Sequence, residues 1–294
     1  MPRSALFDHY VAVDWSAANS RKTGADSIWI AHGRYRDGDI LPTALQNPPT
    51  RYQAMEHIAQ ISRDALHNDE RVLIGFDFPF AYPAGAATLL TGTPGWQSLW
   101  RALSRLIEDD EKNRSNRFAV ANLFNQRLDS GKTRFWGHPY QRSYSHLTLK
   151  RPPVTDPALA IRRRVEMLSP KTKTVWQLMG AGSVGSQALL GIAWLEHLRK
   201  RRDLADHIAI WPFETDFADN LSRPIILAEI YPSLHLKEKP DGVIKDRAQV
   251  EAVVADFANA DRNGTLVSLL ARPSHMDDAT YRIAISEEGW IVGV

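Results

Sequence analysis

Three acidic residues each follow an apolar run that predicts a buried strand. Asp14 ends "VAVD", Asp77 follows "RVLIGF", and Glu229 follows "RPIILA". Each run has the length and composition of a strand, so each acid stands at a strand's carboxyl end. Open α/β sheets bind ligands at that edge. We therefore expect Asp14, Asp77 and Glu229 to converge on one site.

Convergent carboxylates indicate a site for divalent metal ions. Close carboxylates repel one another and raise each other's pKa values, and a cation removes that cost. Carboxylate oxygens suit Mg²⁺ or Mn²⁺, and two such ions about 4 Å apart can activate water for phosphodiester cleavage. Asp277 or Asp278, near the last predicted helix, offers a fourth ligand. A helix cap or an ion pair explains any single acid better, but three at strand ends favour a site.

The elements that must position these acids form an α/β core. Apolar spacing predicts a helix over Arg51–His67, and Asp246 with Gln249 predicts a capping box at a later helix start. A short helix and a terminal strand are expected within "SHMDDATYRIAISEEGWIVGV". The other predicted strands and turns lie in "YVAVDWSA", "DSIWIAHGRY", "RDGD", "ILPTAL", "RVLIGFDFPF", "RPIILAEIYPS" and "DRNG".

The middle of the chain has a different character. Helices are predicted in "WQSLWRALSRLIEDDEKNR", "DPALAIRRRVEML" and "SVGSQALLGIAWLEHLRKRR". We predict a core of residues 1–90 and 206–294, interrupted by a helical insertion at residues 91–205. The insertion has 20 Lys and Arg against 9 Asp and Glu, whereas the remainder has 16 against 25. A basic region beside an acidic one could hold a polyanion next to a cation site, although solvated Arg-rich helix faces explain the charge equally well.

Composition restricts the classes of protein. The 294 residues are 44% hydrophobic and 24% charged, which is typical of a globular chain with a large core. Cysteine is absent, which excludes disulfides and thiolate metal sites. No stretch has the length of a secretory signal or a membrane span. We expect a soluble, cytoplasmic protein without a membrane partner, and the oligomeric state stays open.

The basic region contains candidate substrate contacts. In "RFWGHPYQRSYSH", Trp136 could stack on a base, Arg134 could pair with a phosphate and His138 could move protons at neutral pH. Arg163 belongs to "AIRRRVEML", which could face a phosphate backbone. A loop pinned by Trp136 and a solvated helix face are the structural alternatives.

A glycine-rich stretch, "GAGSVG", precedes an apolar helix. Gly180, Gly182 and Gly185 stand in G-x-G-x-x-G order. We favour a tight loop before a packed helix. A loop that holds a phosphate through backbone N–H groups, with Gly182 in contact, comes second, and a nicotinamide site comes third. The acid expected about 20 residues further on would be Asp203, which is not at a strand end.

The sequence resembles the ribonuclease H-like superfamily, and within it an uncharacterised bacterial family described as a domain of unknown function or predicted nuclease. The resemblance lies in "VAVDWSA", "GFDFPF", "AEIYPS" and "DDATYRIAISEEGW". It implies a mixed sheet flanked by helices and metal-binding acids on the first strand, the fourth strand and a late helix. These match Asp14, Asp77 and Asp278, with Asp277 as a possible substitute. Glu229 matches a family Glu followed by an aromatic residue and Pro.

These features together predict a metal-dependent hydrolase of phosphodiesters in nucleic acid. Mg²⁺ or Mn²⁺ would be the cofactor, and the catalytic and metal-binding acids would be Asp14, Asp77, Glu229 and Asp278. A nucleotide-binding phosphotransferase of the actin-like or sugar-kinase type is the main alternative, with the glycine-rich loop on ATP phosphates. A nucleic-acid-binding module without catalysis is another. DNA, RNA and small nucleotides are not distinguished.

Overall fold

A mixed β-sheet lies at the centre of the chain. A computed structural model describes residues 5–36, 39–41, 43–128, 133–153, 158–169, 172–236, 238 and 240–294. The order across the sheet is β3-β2-β1-β5-β7-β6, and β4 pairs with β2. The strands are β1 (His9–Asp14), β2 (Trp29–Arg36), β3 (Asp39–Ile40), β4 (Ala44–Gln46), β5 (Val72–Phe76), β6 (Ile208–Ile210) and β7 (Ile225–Glu229).

Helices connect the strands and cover the sheet. Strand β2 runs antiparallel to β1, β3 and β4, whereas β1, β5, β7 and β6 are parallel to one another. The predicted α/β fold with a mixed sheet flanked by helices is confirmed. No helix in the described ranges is both long and apolar enough to cross a bilayer. The α-helices are α1 (Arg51–His67), α2 (Ala86–Thr91), α3 (Trp96–Leu106), α4 (Arg117–Arg127), α5 (Arg164–Leu168), α6 (Gly185–Arg199), α7 (Lys245–Arg262), α8 (Leu266–Leu270) and α9 (Asp278–Ile283).

Both faces of β1 are buried. Tyr10 and Ala12 share an apolar cluster with Val250 of α7, while Val11 shares another with residues of α1, α3 and α6. Side chains alternate across a strand, so a strand covered on both faces is apolar at its central positions. Asp14 is therefore the residue at which β1 leaves the apolar interior.

The predicted insertion, residues 91–205, contributes to the same core as the sheet. Trp100 of α3 and Leu189 of α6 are buried in the cluster that contains Val11. Helix α6 also packs closely against the segment that follows β5. Gly191 leaves no room for a side chain there, since an added Cβ atom would lie 2.2 Å from the Phe78 ring. The insertion thus packs against the sheet edge where the predicted acids stand.

The three helices predicted in the middle of the chain are shorter in the structure, and α6 (Gly185–Arg199) differs least from its prediction. Helix α3 ends at Leu106 instead of reaching Arg114, because the Asp110 side chain accepts from nearby backbone N–H groups and folds this stretch into a turn. Helix α5 begins only at Arg164, because the backbone of Arg163 is extended. Residues 156–157, at the start of the predicted helix, lie outside the described residues.

The predicted strands also differ in detail. The segment "ILPTAL" gives two short strands, β3 and β4, and the predicted "RDGD" turn includes residues 37–38, which are not among those described. The fully described residues 284–294 contain no strand, so the expected terminal strand is wrong. Ala284–Glu288 forms a π-helix instead, and the tail reaches the sheet through the Val292 N–H, which donates to Glu229 O at 3.0 Å.

A chain of hydrogen-bonded side chains lies at the amino end of β1. His9 Nε2 is 2.7 Å from Glu70 Oε2, and His9 Nδ1 is 2.8 Å from His32 Nε2. Burial, followed by the charges of His9, Arg34 and His57, lowers the pKa of His32 to about 4, while Asp64 opposes the shift. His32 therefore stays neutral in the folded protein at a pH where a free histidine is protonated.

Acidification should destabilise the fold through His32. The folded pKa of about 4 lies below the ordinary value of 6.5, so the unfolded chain binds more protons between these values and stability falls as pH drops through this window. When the pH falls from 7.5 to 5, the unfolding free energy of His32→Gln should decrease by about 1 kcal/mol less than that of wild type. Urea unfolding at both pH values measures this, and identical losses would contradict it.

Candidate functional site

Asp14 and Asp77, called the acid pair below, lie side by side at the carboxyl ends of β1 and β5. Val13 pairs with Phe76 in parallel register, so the acids follow at the same level. The Asp77 N–H donates to Val13 O at 3.2 Å, and the Trp15 N–H donates to Asp77 Oδ1 at 2.7 Å. Backbone geometry therefore fixes the Asp77 carboxylate beside Asp14.

The acid pair carries no counter-charge. Burial is the largest cause that raises the pKa of Asp14, followed by the charges of Asp77 and Asp246, while Lys245 opposes them weakly. Burial also raises the pKa of Asp77, against the hydrogen bond from Trp15. Within the described part of the chain, neither carboxylate forms an ion pair with Lys, Arg or His. The ionised pair is an arrangement that a cation would stabilise.

Asp246 approaches the acid pair from α7. It lies in the first turn of that helix, and its Oδ2 accepts from the Asp26 N–H at 2.8 Å. Its charge raises the pKa of both members of the acid pair. The predicted capping box is wrong, because Ile244 is the N-cap residue and no side chain caps the helix. The sequence did show an acid in the first turn of α7, but the pattern was interpreted as a capping box and not as part of a site.

These acids do not form a closed metal cage. Among the residues with described positions, no group of three or more His, Asp or Glu is arranged to hold a metal ion. The donor set is the acid pair, with Asp246 and Asp26 farther away. Mg²⁺ suits such an open set, since it keeps several waters and takes one or two carboxylates plus substrate phosphates. The residues present therefore fit a cation that the substrate helps to bind.

Glu229 does not join the acid pair, and the strand register explains why. In the parallel pairing of β5 with β7, Glu229 lies opposite Phe76, one residue before Asp77. Because side chains alternate between the faces of a strand, Glu229 belongs to the Phe76 face and Ile230 is the true counterpart of Asp77. Three strand-end acids were expected to converge, but register brings only two together.

Arg163, a predicted substrate contact, instead neutralises Glu229. Its Nη1 donates to Glu229 Oε2 at 2.7 Å, its Nη2 to Oε1 at 2.5 Å and its Nε to Glu166 Oε1 at 2.8 Å. Burial lowers the pKa of Arg163, but the two carboxylates raise it above the ordinary arginine value. All three side chains are buried. Both oxygens of Glu229 are occupied, so this acid is not free for a metal ion.

Asp277 and Asp278 also lie apart from the acid pair. The Asp277 side chain accepts from the Thr280 N–H at 2.6 Å and caps α9. Asp278 is exposed, and its Oδ1 accepts from Arg272 Nη2 at 2.7 Å. Both contacts are typical of the exposed start of a helix, so the structure gives these two acids a local structural role.

A cavity of about 640 Å³ opens over the acid pair. Asp246 and Asp26 extend its acidic side, while its other sides come from the starts of α4 and α6 and from the loops before them. Of the predicted substrate residues, Gly182 lines it. The side chains that line the non-acidic sides include Arg117, Arg142, Ser183, Ser186 and Gln187.

Arg134, Trp136 and His138 hold a buried loop together instead of lining this cavity. Arg134 is fully buried, and its Nε and Nη2 donate to Leu159 O at 3.0 and 2.6 Å. Trp136 is buried, and His138 Nδ1 lies 3.0 Å from Pro139 O. This burial agrees with the structural alternative given for the stretch, a loop pinned by Trp136, and not with a substrate contact.

The glycine-rich loop is tightly packed against the backbone before it. An added Cβ at Gly185 would lie 2.4 Å from Val175 O, and Gly182 has a φ of 69°. Before the loop, Gln177 makes one isolated bridge with Trp136, and residues 174–179 form no strand. The strand that a dinucleotide site requires is therefore missing from this described stretch.

Comparisons with known proteins give no relative for this chain. Family models, curated proteins and solved structures were all searched, and none matches. The resemblance to the ribonuclease H-like superfamily stays a prediction, and a function has to be inferred from the cavity itself.

Asp14→Asn should stabilise the metal-free protein. The substitution removes one charge from the acid pair and ends its repulsion with Asp77 and Asp246, so the melting temperature in EDTA should rise by roughly 2 °C or more. Magnesium should then raise the melting temperature of wild type but not of the variant. Asp206→Asn, an exposed acid outside the cavity, is the matched control. A variant that melts lower in EDTA and still responds to Mg²⁺ would contradict this assignment.

Proposed function

We propose that the protein is a divalent-cation-dependent phosphodiesterase that acts on a nucleic-acid strand or a nucleotide. The observation that carries the proposal is the acid pair. These two half-buried carboxylates have no counter-charge among the described residues, stand at the carboxyl edge of parallel strands and are open to a cavity of about 640 Å³. A cation bound by two carboxylates leaves coordination positions for water and for substrate phosphate oxygens.

The architecture supports membership of the ribonuclease H-like superfamily as part of this proposal. Asp14 ends the first strand of the mixed sheet, and Asp77 follows β5, the parallel neighbour of that strand. If β3 and β4 count as one interrupted strand, β5 is the fourth in chain order. The placement of the acid pair then agrees with what the resemblance implies, while the late acid would come from α7 through Asp246.

The residues around the acid pair define what the chain contributes to the reaction. The acid pair would hold Mg²⁺ or Mn²⁺, which supplies charge neutralisation and an activated water. The Trp15 N–H orients Asp77, and Gln187 Nε2 in turn donates to Trp15 O. Asp246 Oδ1 accepts no hydrogen bond from the described residues, so it is available to a ligand in the cavity. Glu229 contributes only through its buried ion pair, which stabilises β7 beside the site.

A nucleotide-dependent phosphotransferase is the second candidate. The observation in its favour is that the glycine-rich loop, through Gly182, lines the same cavity as the acid pair. Such an enzyme would move the γ-phosphoryl group of ATP to an acceptor, whereas a phosphodiesterase needs only water. Product analysis with labelled ATP separates the two reactions.

The proposed activity predicts Mg²⁺-dependent cleavage of single-stranded DNA or RNA, or of bis(p-nitrophenyl) phosphate. Asp14→Asn and Asp77→Asn should each lower kcat by at least about 100-fold, because each removes a carboxylate that holds the cation. Asp206→Asn should retain wild-type activity. Circular dichroism checks that the variants fold.

Two outcomes would refute the proposal. One is wild-type cleavage that persists at the same rate in Asp14→Asn. The other is the absence of cleavage with either Mg²⁺ or Mn²⁺, which would favour the phosphotransferase if ATP is consumed and a non-catalytic binding module if it is not.

A further inference from the structure

One side of the cavity contains a buried arginine without an acidic partner. Arg117, the first residue of α4, is 7% exposed and lines the cavity. Its Nε donates to Ser186 Oγ at 3.1 Å, and its Nη1 donates to Asn19 Oδ1 at 3.0 Å and Ser115 Oγ at 2.7 Å. Across the described ranges no carboxylate pairs with Arg117, and its Nη2 donates to no protein atom. One edge of the guanidinium is thus left for a ligand.

Two other buried arginines, Arg51 and Arg163, are neutralised by carboxylates. Arg51 donates to both oxygens of Asp109, at 2.5 and 2.6 Å, and Arg163 does the same to Glu229. Burial and the charge of Arg51 lower the pKa of Arg117 to about 10, which still leaves it cationic at neutral pH. The partners of Arg117 are neutral: three hydrogen-bond acceptors and the Phe118 ring, whose centroid lies 4.5 Å from Cζ. A buried cation without a counter-charge is costly, so an anion from outside the chain is the expected partner.

The start of α6 adds a second attraction for an anion beside Arg117. This helix has 15 residues, and nothing in the described part of the chain accepts from the backbone N–H groups of Ser186 and Gln187. Such free N–H groups and the helix dipole favour negative charge. Ser186 links the two features, because its Oγ accepts from Arg117. Arg142, which is exposed, lines the same side of the cavity.

We propose that Arg117, the first turn of α6 and Arg142 form an anion subsite that binds the phosphate group of the substrate. The subsite shares the cavity with the acid pair, so a bound phosphate ester would meet positive groups on one side and the cation-binding carboxylates on the other. Its role in holding the reacting phosphate rests on the proposed function. Its capacity to bind a phosphate does not, since Arg117 and the α6 N–H groups need no metal ion.

The test measures binding of inorganic phosphate in EDTA by thermal shift and calorimetry, with chloride at matched ionic strength as reference. Wild type should show a saturable stabilisation. Ser183→Asp places a carboxylate beside the start of α6, which favours the helix but repels phosphate, so the fold should persist while phosphate binds at least about tenfold more weakly. Ser145→Asp makes the same charge change at an exposed position that does not line the cavity, and it should bind like wild type. Arg117→Lys keeps the charge but loses the guanidinium fork, and it should weaken binding as well.

The subsite is overturned if phosphate stabilises wild type no more than chloride does, or if Ser183→Asp binds phosphate as tightly as Ser145→Asp. Because no divalent ion is present, this result is independent of catalysis. Phosphate binding without any Mg²⁺-dependent cleavage would refute the phosphodiesterase and support the subsite. Cleavage without phosphate binding would support the phosphodiesterase and refute the subsite.

Discussion

The repulsion between two adjacent carboxylates is the constraint around which this molecule is organised. Asp14 and Asp77 are held at one level because β1 and β5 pair in parallel register, and the Trp15 N–H fixes one of them against the backbone. Burial makes their ionised forms costly. Strand pairing keeps the two residues adjacent, so protonation or a bound cation would relieve the cost.

The rest of the chain shows that this lack of counter-charge is local. Glu229, one register position away, is bound by both nitrogens of the Arg163 fork, and Asp109 is bound in the same way by Arg51. Arginines thus pair with these two acids, whereas among the described residues none pairs with the acid pair. Arg117 is the complementary case, a buried cation that no carboxylate of the described residues pairs with. The acid pair and Arg117 line the same cavity, which is the arrangement that the proposed binding of a cation and a phosphate together requires.

The sequence predicted the parts of this arrangement that depend on local pattern. Apolar runs identified β1, β5 and β7 and placed the acid pair at strand ends, and apolar spacing gave both ends of α1. Register is a property of strand pairing, so the sequence could not show that Glu229 points away from Asp77. Asp246 was predicted to belong to a capping box, because the local pattern does not show which distant residues lie near its side chain. Arg134 looked like a ligand contact because its burial depends on how distant loops pack.

Diffraction from a crystal soaked in Mn²⁺ tests the central claim most directly, since the anomalous signal locates the metal without any assumption about the reaction. We predict a peak in contact with carboxylate oxygens of both Asp14 and Asp77, with water in the remaining positions facing the cavity. A map with no peak at the acid pair, or with a lysine or arginine side chain seated between the two carboxylates, would contradict the account.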